Sequence, residues 1–369
     1  MPKSYLSRRY KRKLSPYLKT LSDAERDVYF SETESAVAEL VSRLGKDPKE
    51  VRWIILSIGR YLYGNTGKDF YLDYQKIPLS SDITLWVLQP PGGGCIHLFA
   101  TPAGKVLVDC GYGMNYADWC AALADLGLGS FADVAHLLCT HGDADHMGMA
   151  GLLPAPAYMH PTTRALLESG SRGFSAVNEY QNLNRTYTKT INTISGFVMP
   201  KEYILADTVP KRKRGAFSVI DEISFGGLTF EVWESRGGHL AGQLFYYEPQ
   251  FGLLFTSDAI LNFASISMPR RVYGSIPDYL ITSANINSAL ASEERAELFA
   301  AAKALDAELK AEGKRLRLCC GHGAASVFDG AGNLAVFDSV YHYARRNAVS
   351  AAVKRNLTKI SWMIEKKLC

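Results

Sequence analysis

Apolar residues recur at two different periods along this chain, and the change of period divides it. In the first part, Ala36, Leu40, Val41 and Leu44 return at helical intervals before Gly45, and Val51, Ile54, Ile55 and Ile58 do so again after Asp47-Pro48. Such a stripe marks an amphipathic helix, Asp-Pro is a start signal and Gly a stop. The spacing predicts two helices within residues 21–63, the second ending near Tyr63-Gly64-Asn65, with Ser31-Glu32-Thr33-Glu34 offering capping-box spacing for the first. From Ile83 the apolar runs shorten to strand length. Ile83–Leu88, Cys95–Ala100 and Gly104–Val108 are separated by turn residues. Pro90-Pro91-Gly92-Gly93-Gly94 predicts a hairpin turn rather than a phosphate loop, because neither Lys-Ser/Thr nor a helix follows.

Further on, strands and helices interleave. Strands are expected at Asp133–Cys139, Ala157–His160, Ile223–Phe225, Leu228–Trp233, Leu244–Tyr247, Gly252–Phe255 and Arg315–Leu318. Helices are expected over Tyr116–Leu126, Thr162–Glu168, Ser175–Ile194 and Ser292–Glu312, and the basic, periodic Phe337–Leu368 predicts one or two more. This alternation indicates an α/β fold. Residues 1–80 are expected to form an N-terminal helical appendage that covers part of the main domain or mediates a homodimer, and residues 81–369 the main domain.

Charge and cysteine content narrow the setting. The formal net charge is only +4, so no global field selects nucleic acid as a partner. Positive charge is nevertheless clustered: Lys3, Arg8, Arg9, Lys11, Arg12, Lys13 and Lys19 lie in an acid-free start, and Lys211-Arg212-Lys213-Arg214 forms a second run. Runs of this kind are as a rule solvated surface. No apolar stretch follows the basic start as in a secretory signal, and Trp53–Tyr63 contains Arg60 and is too short to cross a bilayer. Seven cysteines, an odd number without paired spacing, predict reduced thiols in a cytoplasmic protein. Cys319-Cys320, ending an apolar run, are expected to be buried strand residues.

The chemistry is concentrated in Thr140-His141-Gly142-Asp143-Ala144-Asp145-His146-Met147-Gly148, where four potential metal ligands follow the apolar strand Val134–Leu138. His and Asp singly are ordinary turn residues, but this density is ligand chemistry, and a strand-to-helix loop holds ligands rigidly while facing them outward. Later strands end in further candidates: His239 in Gly237-Gly238-His239, Asp258 in Thr256-Ser257-Asp258, and His322 in Gly321-His322-Gly323. Small neighbours at each let the backbone turn beside an ion.

Taken together, His141-x-Asp143-x-Asp145-His146, His239, Asp258 and His322 resemble the metallo-β-lactamase-fold superfamily, whose pattern is His-x-His-x-Asp-His followed by His, Asp and His at strand ends. Val108-Asp109-Cys110-Gly111 is similar to an early element of that family, whose Asp supports the metal loop. The resemblance covers roughly residues 83–325 and implies a four-layer αββα sandwich with the site along one edge. It implies one cation position at His141, Asp143 and His239, a second at Asp145, His146 and His322, and Asp258 bridging them. Two divalent ions are implied, zinc by the family. Asp143 stands where the family has His, and a carboxylate for an imidazole shifts preference towards iron or manganese.

The activity implied is hydrolysis of a small-molecule ester, lactone, thioester or phosphoester by a metal-bridging hydroxide, with Asp145 as the catalytic carboxylate and Asp109 orienting the loop. The alternative is a flavodiiron-like di-iron protein that reduces or senses oxygen or nitric oxide. Asp143 supports it; the few residues after His322 leave no room for a flavodoxin-like domain. Substrate selection is expected from the Ser171–Thr193 insertion and the Ile260–Asn287 loop, with Arg172, Tyr180, Arg185 and Tyr187 as lining candidates.

Overall fold

The computed structural model describes residues 15–176 and 179–345, and among these three α-helices precede the first strand. They are α1 (Pro16–Thr20), α2 (Asp23–Leu44) and α3 (Pro48–Gly64). Both breaks fall where the sequence placed them: Gly45 closes α2 in the left-handed region at φ 61°, and the Asp47 carboxylate caps α3 by accepting from the Lys49 and Glu50 N–H groups. The start of α2 is a correction. Its capping box is Ser22 with Glu25, and Ser31 lies in the helix interior. Both stretches have Ser-x-x-Glu spacing, but nothing between Asp23 and Ser31 interrupts a helix, so the earlier cap nucleates it and the later one is absorbed.

Strand β1 (Tyr71–Pro78) then joins β2 (Thr84–Gln89), β3 (Ile96–Thr101) and β4 (Gly104–Val108) as an antiparallel meander. The sheet therefore begins at residue 71, ahead of Ile83, where strands were expected to start, and inside residues 1–80, expected as a helical appendage. Helix α4 (Tyr116–Asp125), strand β5 (Val134–Leu138), the one-turn helix α5 (Ala144–Met147), β6 (Ala157–Met159), α6 (Pro161–Ser169), α7 (Gln181–Ser195) and β7 (Tyr203–Leu205) follow, with β4 to β7 paired in parallel.

The second sheet comprises β8 (Arg212–Arg214), β9 (Phe217–Phe225), β10 (Leu228–Glu234), β11 (Leu244–Glu248) and β12 (Leu253–Ser257). Helices α8 (Met268–Gly274), α9 (Ile276–Leu280) and α10 (Ser288–Ala311) lead to β13 (Arg317–Cys320), β14 (Ser326–Phe328) and β15 (Leu334–Val336). Strand order is β16-β1-β2-β3-β4-β5-β6-β7 in one sheet and β15-β14-β13-β12-β11-β10-β9-β8 in the other, where β16 is Tyr341–Ala344. That last strand corrects the helix expected from Phe337: its Tyr-His-Tyr alternation pairs antiparallel with β1 instead, Tyr341 opposite Tyr74. Residues 346–368 of the expected helix, and most of the basic N-terminal run, lie outside the described residues.

Three apolar interfaces make the layers. Between the sheets, Val87, Phe99, Val108 and Leu138 meet Phe230, Val232, Tyr246 and Phe255. Outside the first sheet, Trp119 and Leu123 of α4 and Leu166 of α6 cover Leu98, Leu107 and Leu137. Outside the second, Leu298, Ala302, Leu305 and Leu309 of α10 cover Trp233, Phe245 and Leu254. Each fully buried Leu or Phe contributes roughly 1.5–3 kcal/mol, so the four-layer αββα arrangement follows from which faces are apolar. A fourth cluster lies beside the sandwich, where α2 and α3 pack through Leu40, Ile54 and Ile58 against Leu183, Ile191 and Ile194 of α7 and Ile276 and Leu280 of the α8–α9 segment.

The second basic run is a sheet edge whose charge is met by its neighbours. Lys211 pairs with Asp221 at 2.8 Å, Arg212 with Glu222 at 2.9 Å and Arg214 with Glu231 at 2.8 Å. Burial works against the Glu231 anion, yet Arg214 and Arg212 hold its carboxyl down at about 2. Cys319 and Cys320 are buried strand residues, as expected.

Candidate metal centre

Strand direction brings the candidate ligands to one edge. β4 and β5 are parallel, and so are β12 and β13; β10 runs with β12 because both are antiparallel to β11. The loops after these five strands therefore open on the same side, and they carry Asp109, His141 to His146, Asp258, His322 and His239 respectively. Main-chain bonds stitch the two halves together there: Leu244 N–H donates to Thr140 O at 2.8 Å and Cys95 N–H to Gly321 O at 2.7 Å.

Ligand atoms converge in overlapping groups: His141, Asp143 and His239; Asp145, His146 and His322; and His141, His146 and Asp258. Within the first, Asp143 Oδ2 stands 3.7 Å from His141 Nε2 and 3.5 Å from His239 Nε2. Within the second, Asp145 Oδ2 is 3.7 Å from His146 Nε2 and 3.5 Å from His322 Nε2. Asp258 reaches across, 3.3 Å from both His146 Nε2 and His322 Nε2 and 3.7 Å from His239 Nε2. Two donors each about 2.1 Å from one cation at a tetrahedral angle stand roughly 3.4 Å apart, so these separations match those that ligands of one cation would have. His141 Nε2, His146 Nε2, His239 Nε2 and Asp258 Oδ1 are buried without any hydrogen-bond partner. Unpaired polar atoms are costly in a protein interior, and four aimed at one another fit a divalent cation that would satisfy them.

The opposite ring nitrogens of His141, His146 and His239 are each held. Asp109 Oδ2 lies 2.8 Å from His146 Nδ1 and accepts from the Thr140 hydroxyl, while its Oδ1 accepts from the Thr140 N–H, both at 2.8 Å. Ser257 Oγ is 2.9 Å from His141 Nδ1, and Asn285 Oδ1 is 3.0 Å from His239 Nδ1. Such outer partners set ring orientation and leave Nε2 for a ligand. Asp109 and Ser257 occupy equivalent places, one after β4 and one at the end of β12, and both adopt positive φ (60° and 50°). For residues with a side chain that conformation costs on the order of 1 kcal/mol, and here it turns each side chain back onto a histidine.

The glycine triplet is a turn, but also more. A Cβ on Gly94 would stand 2.5 Å from His146 Cε1, and one on Gly321 2.1 Å from Asp258 Oδ1. Both glycines are places where backbone presses directly on a candidate ligand side chain.

Electrostatics differ across the cluster. Burial lowers His146, yet Asp258, Asp145 and Asp109 outweigh it and raise its pKa well above the ordinary value; His322 is raised in the same way by Asp258 and Asp145. His141 is pushed well down by burial and by His146 and His239. Burial raises the Asp145 carboxyl. It works against the Asp143 anion too, but Arg172 prevails and holds that carboxyl well below the usual range. The cause is a two-point ion pair: Arg172 Nε donates to Asp143 Oδ1 at 3.1 Å and Nη2 to Oδ2 at 2.9 Å, with Arg172 only 2% exposed. No local signal in the sequence links positions 143 and 172.

A cavity of about 550 Å³ opens over the cluster, the size of a small-molecule site. Of the four expected lining residues, Arg172 and Tyr187 border it. Tyr180 and Arg185 do not. Arg185 bonds Glu32 of α2 at 2.9 Å, because two residues along a helix turn the side chain by about 200° from Tyr187. Tyr180, at the start of α7, has the Arg43 guanidinium of α2 over its ring at 4.8 Å. Residues not foreseen individually complete the wall: Tyr112, whose hydroxyl is 2.7 Å from that of Tyr273, together with Asn285 and Ile58. Tyr273 and Asn285 come from the Ile260–Asn287 loop, so that segment was the usable signal. Tyr273 in turn stacks on Tyr61 of α3, ring centres 4.8 Å apart.

A family model described as the metallo-beta-lactamase superfamily matches residues 90–322. Among solved structures, the chain is similar to a metallo-beta-lactamase from Legionella gormanii (17% identity, covering 47% of this chain and 57% of that one, TM-score 0.33). It is also similar to AidC, described as a dizinc quorum-quenching lactonase (14% identity, 73% and 98%, TM-score 0.46), and to a metallo-beta-lactamase from Cronobacter sakazakii (15% identity, 80% and 94%, TM-score 0.38). The chain thus spans little more than half the length of the Legionella enzyme. The comparison with curated proteins found no match.

Proposed function

Because the chain belongs to the metallo-beta-lactamase superfamily of metal-dependent hydrolases, we propose that it is a dinuclear hydrolase of a small-molecule ester, lactone, thioester or phosphoester. The observation that carries this reading is the set of unpartnered His141, His146 and His239 Nε2 atoms and Asp258 Oδ1 converging under a cavity of about 550 Å³. His141, Asp143 and His239 would hold one cation, Asp145, His146 and His322 the other, with Asp258 between them. Bound there, the cations would supply Lewis acidity and a water acidified towards neutral pH.

The protein's own groups do the rest. Asp145 borders the cavity beside the proposed cations, where its carboxylate is the group to take a proton from the attacking water and return it to the leaving group. Asp109, through His146 and Thr140, and Asn285, through His239, keep the imidazoles aligned. Tyr187, Tyr112, Tyr273 and Ile58 form the walls that position substrate and exclude water. The N-terminal helices, expected as an appendage over residues 1–80, act here as buttresses to those walls.

The ordinary superfamily metal, zinc, is the first choice. The argument for iron or manganese was that the Asp143 carboxylate makes the site harder and more negative; Arg172, at 2.9 Å, offsets the added charge and leaves the oxygen donor. The six cysteines in the described residues are free and five are buried, which suits a reducing compartment and supports a cytoplasmic setting. Among the described residues no helix is long and apolar enough to cross a membrane.

The test is elemental analysis of protein purified without added metal, followed by assay on model esters, lactones, thioesters and phosphodiesters before and after chelation. About two transition-metal ions per chain and hydrolysis that disappears with the metal are expected. Metal-free protein that still hydrolyses one of these substrates would sink the reading.

A further inference from the structure

The two halves of the cluster carry different charge, and the difference is built in. Around His146 and His322 stand Asp145, Asp258 and, behind the His146 ring, Asp109. No cationic side chain pairs with Asp145 or Asp258 among the described residues; only histidines do. Around His141 and His239 the one dedicated carboxylate is Asp143, and both its oxygens already accept from Arg172. Asp258 also leans to the first group, 3.3 Å from His146 and His322 but 3.7 Å from His239.

Arg172 is not free to withdraw. Nη2 also donates to Ala284 O at 2.7 Å, its own N–H donates to Thr188 Oγ1 at 2.9 Å, and the residue is 2% exposed. A guanidinium stays charged at any working pH. A cation entering between His141, Asp143 and His239 must therefore share Asp143 Oδ2 with a fixed positive charge a few ångströms away, in surroundings that screen poorly. A cation entering between Asp145, His146, His322 and Asp258 meets two carboxylates that no arginine or lysine among the described residues shares.

We propose that Arg172 makes the two cation positions unequal: Asp145, His146, His322 and Asp258 take up the first ion tightly, His141, Asp143 and His239 the second weakly, and Arg172 sets the gap. The inference rests on the metal-centre reading above and assigns Arg172 as a positioning residue for a ligand rather than a substrate contact. It gives this chain a form that holds one ion at scarce metal and two at abundant metal, which makes its loading responsive to metal supply.

The experiment is titration of the metal-free full chain with zinc, by calorimetry and by competition with a chromophoric chelator, with bound metal counted after dialysis. Two steps separated roughly 10- to 100-fold or more in affinity are expected for the unaltered protein. Arg172→Met should tighten the second step at least about tenfold and leave the first within a factor of about three, whereas Arg172→Lys, which keeps the charge, should preserve most of the gap. Should Arg172→Met fail to fold by circular dichroism, Asp143→Asn serves in its place: it should remove the weak step and spare the tight one. Two steps of equal affinity in the unaltered protein, an unmoved second step in folded Arg172→Met, or loss of the tight step in Asp143→Asn would each overturn the inference while leaving a dinuclear centre intact. No saturable step at all would overturn the metal centre itself.

Discussion

The floor of the site and its walls are built in different ways. The floor consists of strand ends: Asp109, His141 to His146, His239, Asp258 and His322 project from loops whose two sides are pinned by β ladders and by main-chain bonds between the sheets. The walls are largely helical and lean on one another mainly through side chains: α3 on Tyr273 through the stacked Tyr61, and α7 on α2 and α3 through Leu183, Ile191 and Ile194. Ladders fix a loop to within the precision a metal demands; packed helices fix a surface that tolerates exchange. Changes in the floor should therefore act on metal and turnover, and changes in the walls on substrate affinity.

The sharpest way to break that division is His146→Ala. It removes a buried candidate ligand and the partner of Asp109, and kcat/KM should fall by about a thousandfold or more together with loss of bound metal, read by kinetics and elemental analysis. Asp109→Asn comes next. It touches no cavity, yet it should weaken metal affinity roughly 10- to 100-fold, because the Asp109 carboxylate orients His146 and Thr140. Gly94→Ala tests whether the hairpin turn belongs to the floor: a methyl group 2.5 Å from the His146 ring should cost about 1–3 kcal/mol in denaturant unfolding and lower metal occupancy.

Wall substitutions should look different. Tyr187→Ala opens the cavity beside Arg172 and should raise KM about tenfold with metal content unchanged; if it strips the metal instead, the separation of floor from wall is wrong. Arg185→Ala should do least. Its partner Glu32 lies on α2, the guanidinium is about one-third exposed, and the loss should stay within about 1 kcal/mol of stability with kinetics unaltered.

The same contrast governs what could be foreseen. His141, Asp143, Asp145 and His146 stand together in the chain, and each later candidate sits beside glycine or small residues at the end of an apolar run, so the floor was legible residue by residue. Along α7, by contrast, Tyr180, Arg185 and Tyr187 are equally polar and aromatic, and only the helix's orientation against α2 sends Arg185 outward and Tyr187 into the cavity. The glycine triplet was correctly a turn, but its contact with His146 belongs to no local pattern. The strand Tyr341–Ala344 went unseen because its alternation is short and its partner, Tyr71–Pro78, is far away in sequence.

By itself, then, the sequence determined most of the order of strands and helices from Ile83 to His322, the sandwich they imply and the histidines and aspartates available for chelation. Those are properties of short segments: period, punctuation and side-chain chemistry. Tertiary structure alone decided that Asp143 is tied to Arg172, that Ser257 and Asn285 steady two of the imidazoles, and that the N-terminal helices prop the cavity wall. These pairings join residues far apart in the chain, and their geometry is set by how two sheets and their covering helices close on one another, which no local spacing encodes.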